Sequence, residues 1–288
     1  MSAAVIPPWR AATPSQRRAA SRHDLAFARE VLAGLASPRK SISGRWRLDA
    51  RGLVLREAIE RRDAGSPARL ERSLLANSAA PIAMLAGADA RLVALGGDDA
   101  PGLGLVRAAI DRLGVVAPRA ARRRILFISG RVSATLAGET ASARLHDAAR
   151  HSRYDVLIVA AAALRDPASI AAVDAEHAAL RCELDRNVLV RMRGELGADL
   201  DPEAFDREIR FDAPRQCIET TLVSRASQRI RVLGRSFELG DGEPILVERA
   251  HQHCLPCFEP LARAAGWAHA QLWIDSNARF AIHVLEHA

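Results

Sequence analysis

The stretch LVALGGDDAPGLGL, residues 92–105, runs from an apolar segment through a cluster of glycines into an apolar helical pattern. That is the order of a strand turning through glycine into a helix, and such a turn is a candidate nucleotide-binding loop: glycine lets backbone approach a ligand closely, and the helix that follows presents unpaired N–H groups. Two more short apolar runs, RILFIS (124–129) and YDVLIVA (154–160), follow it with helical stretches between. The alternation predicts a parallel sheet covered on both faces, hence an α/β fold.

Outward from this core the chain reads in segments. Residues 1–22 are rich in Pro, Ser, Ala and Arg and are expected to form a mobile arm. Helical spacing is present in DLAFAREVLAGLAS (24–37), then in LVLREAIERR and ARLERSLLANSAAPIAMLA, with breaks expected at Pro67 and near Pro81. The interval between Gly96 and Ile125 has room for one crossover, in which GVVA (114–117) is at most a short strand. Residues 166–197 read as one long helical region closed by Gly197. Alternating β patterns follow in CIETTLVSRASQRIRVL and RSFELGDGEPILVE, with a turn at Gly240–Asp241–Gly242. FEPLARAAG is a further helix, and AQLWIDSNARFAIHVL holds two strands around Asp275–Ser276–Asn277, an expected antiparallel edge on the main sheet.

Composition bounds the function. With 288 residues and 49% hydrophobic content the chain can build one large core or two modest ones, and no apolar run approaches a membrane span, so a cytoplasmic protein is expected. Four cysteines, Cys182, Cys217, Cys254 and Cys257, are too few and too clustered for a disulfide framework. The net charge of +7 is carried almost wholly by arginine, Lys40 being the only lysine. Without aromatic interleaving or a nucleic-acid module that charge reads as a solvated basic surface, and a nucleic-acid partner is not expected. Tyr154 is the only tyrosine and is expected inside a strand.

HQHCLPCFEP places His251, His253, Cys254 and Cys257 within seven positions, a composition that suits zinc or copper. A second ligand pair is missing from the sequence, so His283 or His287 would have to approach in space. Pro256 reads as the first residue of a helix, which would set Cys257 in its first turn. The alternative is a loop with two small semi-buried cysteines.

VLAGLASPRKSISGRWRLDARG, LREAI, RNVLVRMRGELGADLDPEAF, IETTL, GEPILVE, LARAAGW and LWIDSNARFAIHVL, in that order over residues 24–286, resemble the L-histidine Nα-methyltransferase family of ergothioneine biosynthesis. The resemblance implies a Rossmann-like domain that binds S-adenosylmethionine and a smaller domain that closes over histidine. The implied division is a helical part at 23–71, a Rossmann-like core at 86–196, a smaller α+β domain from 72–85 and 197–250, and a C-terminal helix and strand pair at 251–288.

Against that pattern much of the expected contact set is replaced. In the cofactor turn the family's Glu-Leu-Gly-Ser-Gly stands here as Ala94-Leu95-Gly96-Gly97-Asp98, with Gly102 near the place of a lysine, so Gly96, Gly97 and Asp98 are the candidate cofactor residues. The strands that follow the first in the family, with the ribose-binding acid, have no counterpart, which implies a sheet shortened on one flank with a new edge. Leu48 stands where a tyrosine is expected, before a retained Asp49, and a second tyrosine motif has become Gly65-Ser66-Pro67-Ala68-Arg69. A third tyrosine falls at Val173 or Asp174, an asparagine at about Ala134 and a methionine at Thr220, while of a Glu-x-Ser pair only Glu248 persists, the serine being Ala250. Glu248 and Asp49 are therefore the candidate substrate residues; Asp49 and Arg69 also read as packing and capping residues. The reading is a diverged, catalytically silent family member acting as a partner or scaffold subunit in a homo- or hetero-oligomer. Its rivals are an active S-adenosylmethionine-dependent N-methyltransferase on another amino-acid-like substrate, and a metal or thiol module at His251–Cys257.

Overall fold

In a computed structural model of the chain, residues 22–63, 65–95, 102–116, 123–134, 138–150, 154–163, 167–252 and 255–287 are described. The expected arm lies outside them up to residue 21. The described helices are α1 (Arg22–Ala36), α2 (Ala50–Arg62), α3 (Pro67–Ala86), α4 (Leu103–Val116), α5 (Gly130–Ser133), α6 (Gly138–Arg150), α7 (Pro167–Ala175), α8 (Ala178–Leu196) and α9 (Leu255–Ala264). The strands are β1 (Arg91–Leu95), β2 (Arg124–Ile128), β3 (Val156–Ala162), β4 (Phe205–Asp212), β5 (Cys217–Ser224), β6 (Gln228–Val232), β7 (Arg235–Leu239), β8 (Pro244–His251), β9 (Trp267–Ile274) and β10 (Phe280–His287).

The chain divides into two compact units. The first gathers the described residues up to Arg56 with Ala179–Glu208 and Thr220–Glu248; the second gathers Glu57–Ala178, Ile209–Glu219 and Arg249–Ala288. Residues 72–85, expected in the smaller domain, thus lie in the second unit, inside α3.

The second unit is built on a five-stranded sheet in the order β1-β2-β3-β10-β9. β1, β2 and β3 run parallel, while β10 is antiparallel to both β3 and β9, the antiparallel edge that the C-terminal pattern predicts. Burial on both faces explains the continuous apolar runs. Ile125 and Phe127 of β2 pack with Leu75, Ile82, Leu103 and Val106 of α3 and α4, whereas Leu126 and Ile128 pack with Leu145 of α6 and Phe258 of α9. One crossover, α4, joins β1 to β2, so β1 stands at the end of the described sheet. Its Val93 is 36% exposed where β2 and β3 are buried. This is the Rossmann-like α/β sheet, shortened on one flank. The first unit has its own core, in which Phe27 and Val31 of α1 and Val188 and Met192 of α8 meet Phe205, Leu222, Ile230 and Ile245.

Several local expectations are corrected. Proline removes one helical N–H and crowds the carbonyl four residues back, yet α3 runs through Pro81, because its face of Leu75, Ala79, Ile82, Ala83 and Ala86 is buried in the core. Pro67 opens α3 instead of breaking a longer helix, with Ser66 capping it by accepting from the Arg69 N–H at 3.4 Å. The 166–197 region is two helices, since the chain turns after α7 where it passes from the second unit to the first; Gly197, at φ +65°, stops α8 as expected. The segment 114–116 ends α4 rather than forming a strand, and Tyr154 precedes β3. α9 begins at Leu255, one residue before Pro256.

Ile282 of β10 is fully buried in the sheet core. Ile282→Ala is expected to lower the unfolding free energy by about 2–5 kcal/mol, read as a shifted midpoint in urea denaturation with an unchanged m-value.

Candidate functional site

A 3-10 turn, Gly44–Arg47, carries the residues that decide the site in the first unit. Packing locks it. Trp46 is buried, its ring 5.0 Å from that of Phe27, and the buried guanidinium of Arg191 lies 4.8 Å from the Phe27 ring while donating to the Trp46 carbonyl at 2.5 Å. At Gly44 a Cβ would stand 2.6 Å from the Val247 carbonyl of β8. The turn and that strand therefore touch through bare backbone.

Directly after the turn, Asp49 caps α2. Its Oδ1 accepts from the Gly52 N–H at 2.8 Å and from Asn187 Nδ2 at 2.7 Å. Asn187, fully buried on α8, also donates to the Arg47 carbonyl at 2.8 Å. Asp49 is thus engaged as a capping residue and ties the turn to α8. Arg69, the other residue read as a cap, donates to the Arg61 carbonyl in the last turn of α2 at 3.2 Å.

The side chain of Arg47 then points between two carboxylates. Nη1 donates to Asp185 of α8 and Nη2 donates to Glu248 of β8. Arg207 of β4 donates from Nε to the second oxygen of Asp185 at 2.6 Å. The side chains of Arg47 and Asp185 are 12% and 5% exposed, so this is a buried ion pair, whereas Glu248 is 38% exposed. Burial alone would lower the pKa of the Arg47 guanidinium, but the Glu248 and Asp185 carboxylates outweigh it and hold the group above its ordinary value. Glu248 is therefore engaged through Oε1 by a cation of its own chain.

A second cluster lies in the second unit, where ligand atoms of the buried Asp212, Cys217 and Glu219 fall within 4.8 Å of one another. Its charge is already balanced. Glu219 accepts from Arg249 at 2.7 Å and from Arg210 at 2.9 Å, and Asp212 accepts from Arg215 at 2.8 Å. Burial pushes the Cys217 thiol up, away from the thiolate a soft metal would need. Of the expected His/Cys patch, His251 is described: its N–H donates to the Ala134 carbonyl at 2.7 Å and its Nδ1 lies 3.3 Å from the Arg215 carbonyl oxygen. His253, Cys254 and the side chain of Cys257 lie outside the described residues. His283, the suggested distant ligand, is buried with Nδ1 at 3.1 Å from His269 Nε2 and its ring 4.1 Å from that of Phe258.

Gly96, Gly97 and Asp98 lie outside the described residues. A ribose-binding acid belongs at the end of the strand after the glycine turn; the described strand after β1 is β2, which ends at Ile128 and is followed by Ser129 and Gly130. There the Gly130 N–H donates to the buried Glu71 at 2.9 Å, and a Cβ at Gly130 would stand 2.6 Å from the Phe280 ring. The acid described at this end is Glu71, which comes from α3 rather than from the strand itself.

The comparisons place the chain. The family model described as histidine-specific methyltransferase, SAM-dependent, matches residues 27–102 and 108–287. This chain belongs to that family. A histidine N-alpha-methyltransferase from Mycobacterium tuberculosis is 25% identical over 302 residues, covering 90% of this chain and 94% of the relative. One from Mycolicibacterium smegmatis is 25% identical over 268 residues, covering 77% and 83%. Among solved structures, an S-adenosylmethionine-dependent methyltransferase from Clostridium acetobutylicum is similar over 82% of this chain and 99% of its own, at a TM-score of 0.41 and 8% identity. Arg47 and Asp185 were missed in the sequence. The one signal there was an arginine next to Leu48, at the start of the motif in which the family has an aromatic residue.

The Glu219 carboxyl is opposed by burial, but its hydrogen bonds to Arg210 and Arg249 prevail and hold it below the ordinary glutamate value. Its contribution to stability is therefore present at neutral pH and fades as pH falls through that lowered value. Glu219→Gln should destabilise the protein at pH 7 and leave it equal to the native protein once the carboxyl is protonated, measured as urea midpoints from pH 7 to pH 3.

Proposed function

We propose that this member of the histidine-specific methyltransferase family is catalytically silent and serves as a partner or scaffold subunit of a homo- or hetero-oligomer. Methyl transfer asks the protein chiefly to hold a sulfonium and an amine in line, so loss of the holding contacts is loss of the activity. The observation that carries this reading is the Arg47 guanidinium on Glu248, the one member of the family's Glu-x-Ser pair retained here. Leu48 in place of the tyrosine and Ala94 in place of the glutamate of the cofactor turn support it from the substrate and cofactor sides. The subunit role draws on β1, a strand at the end of the described sheet, because a sheet edge offers backbone groups for pairing.

Titration calorimetry of the purified protein with S-adenosylmethionine tests the silence. No binding heat at millimolar ligand is expected. Binding at low micromolar affinity would overturn the proposal in favour of an active N-methyltransferase on another amino-acid-like substrate.

A further inference from the structure

Arg47 bridges two elements of the first unit. Its two terminal nitrogens serve carboxylates on two separate elements, α8 and β8, and its Nε has no hydrogen-bond partner among the described residues. The pair Asp185 and Glu248 therefore forms a two-walled receptor for a flat, nitrogen-rich cation, and the chain supplies that cation itself. We infer that Arg47 is an internal ligand, and that truncating it converts the Asp185–Glu248 pair into a binding site for a small external guanidinium ion. The inference rests on the reading that Arg47 occupies the carboxylate of a former substrate site.

Charge and shape argue for guanidinium in particular. With Arg47 removed, Asp185 still accepts from Arg207 while burial holds its carboxyl above the ordinary aspartate value, so the unpaired charge of the vacated space is that of Glu248. A planar cation can donate to both carboxylates at once, as Arg47 does; a tetrahedral quaternary ammonium has no N–H to donate. The space left by Arg47→Ala equals a short alkylguanidine, and the carboxylates stay where α8 and β8 put them. Asp185 is fixed further by Arg207.

The test uses Arg47→Ala in the full chain, with 1-ethylguanidinium at up to about 20 mM and tetramethylammonium as the control at equal ionic strength. Thermal midpoints are read by circular dichroism. The expected result is a saturable rise in the midpoint of Arg47→Ala with ethylguanidinium alone, no such rise in the native protein, and at least a fivefold weaker effect in Arg47→Ala/Glu248→Gln. If the variant is unfolded as purified, it is refolded in the two salts, and recovery of the folded signal in ethylguanidinium alone is the expected result. Equal behaviour in both salts, no effect of either, or the same response in the Glu248→Gln background would overturn the inference. Calorimetry of the native protein with S-adenosylmethionine is a separate sample and ligand, so silence and the internal ligand can fail independently.

Discussion

A positive charge held between carboxylates in the interior of the first unit is the constraint on which the rest of the site turns. Moving a guanidinium out of water is costly, and the cost is met only where carboxylates lie close enough to accept from it. Arg47 satisfies this through Asp185 and Glu248, but only because its backbone sits in a turn fixed on three sides. Arg191 holds the Trp46 carbonyl, Asn187 holds the Arg47 carbonyl, and Gly44 lets the turn approach β8 without a side chain between. Removing the arginine would leave Asp185 buried against one cation instead of two.

Fold and chemistry rest on different kinds of contact. The fold rests on apolar alternation, in which Ile125 and Phe127 face one helical layer and Leu126 and Ile128 the other, and many substitutions preserve that pattern. The chemistry of the family rests on a handful of polar contacts that tolerate little. Shortening the sheet to β1-β2-β3-β10-β9 leaves the central strands packed on both faces and places the change at an edge. The family's architecture thus persists, with Gly130, just beyond β2, packed against Phe280 at the start of β10.

What the sequence disclosed follows the range of the forces involved. β2 and β3 are legible because burial on both faces writes a continuous apolar run, and the stop of α8 is legible because Gly197 adopts a backbone conformation other residues avoid. Pro81 misleads because the proline penalty is local and the buried face of α3 is a tertiary gain. Glu248 and Asp49 could be named from the resemblance, but what holds them could not. Arg47 lies 138 residues from Asp185 and 201 from Glu248, and no periodicity or motif spacing announces a contact at such a separation.

The central claim, that Glu248 is engaged by its own chain, is tested most directly by a double-mutant cycle of Arg47→Met and Glu248→Gln on unfolding free energy. A coupling of about 1–3 kcal/mol is predicted, because contacting charged residues act together. Additivity to within about 0.3 kcal/mol, the behaviour of independent sites, would contradict the account.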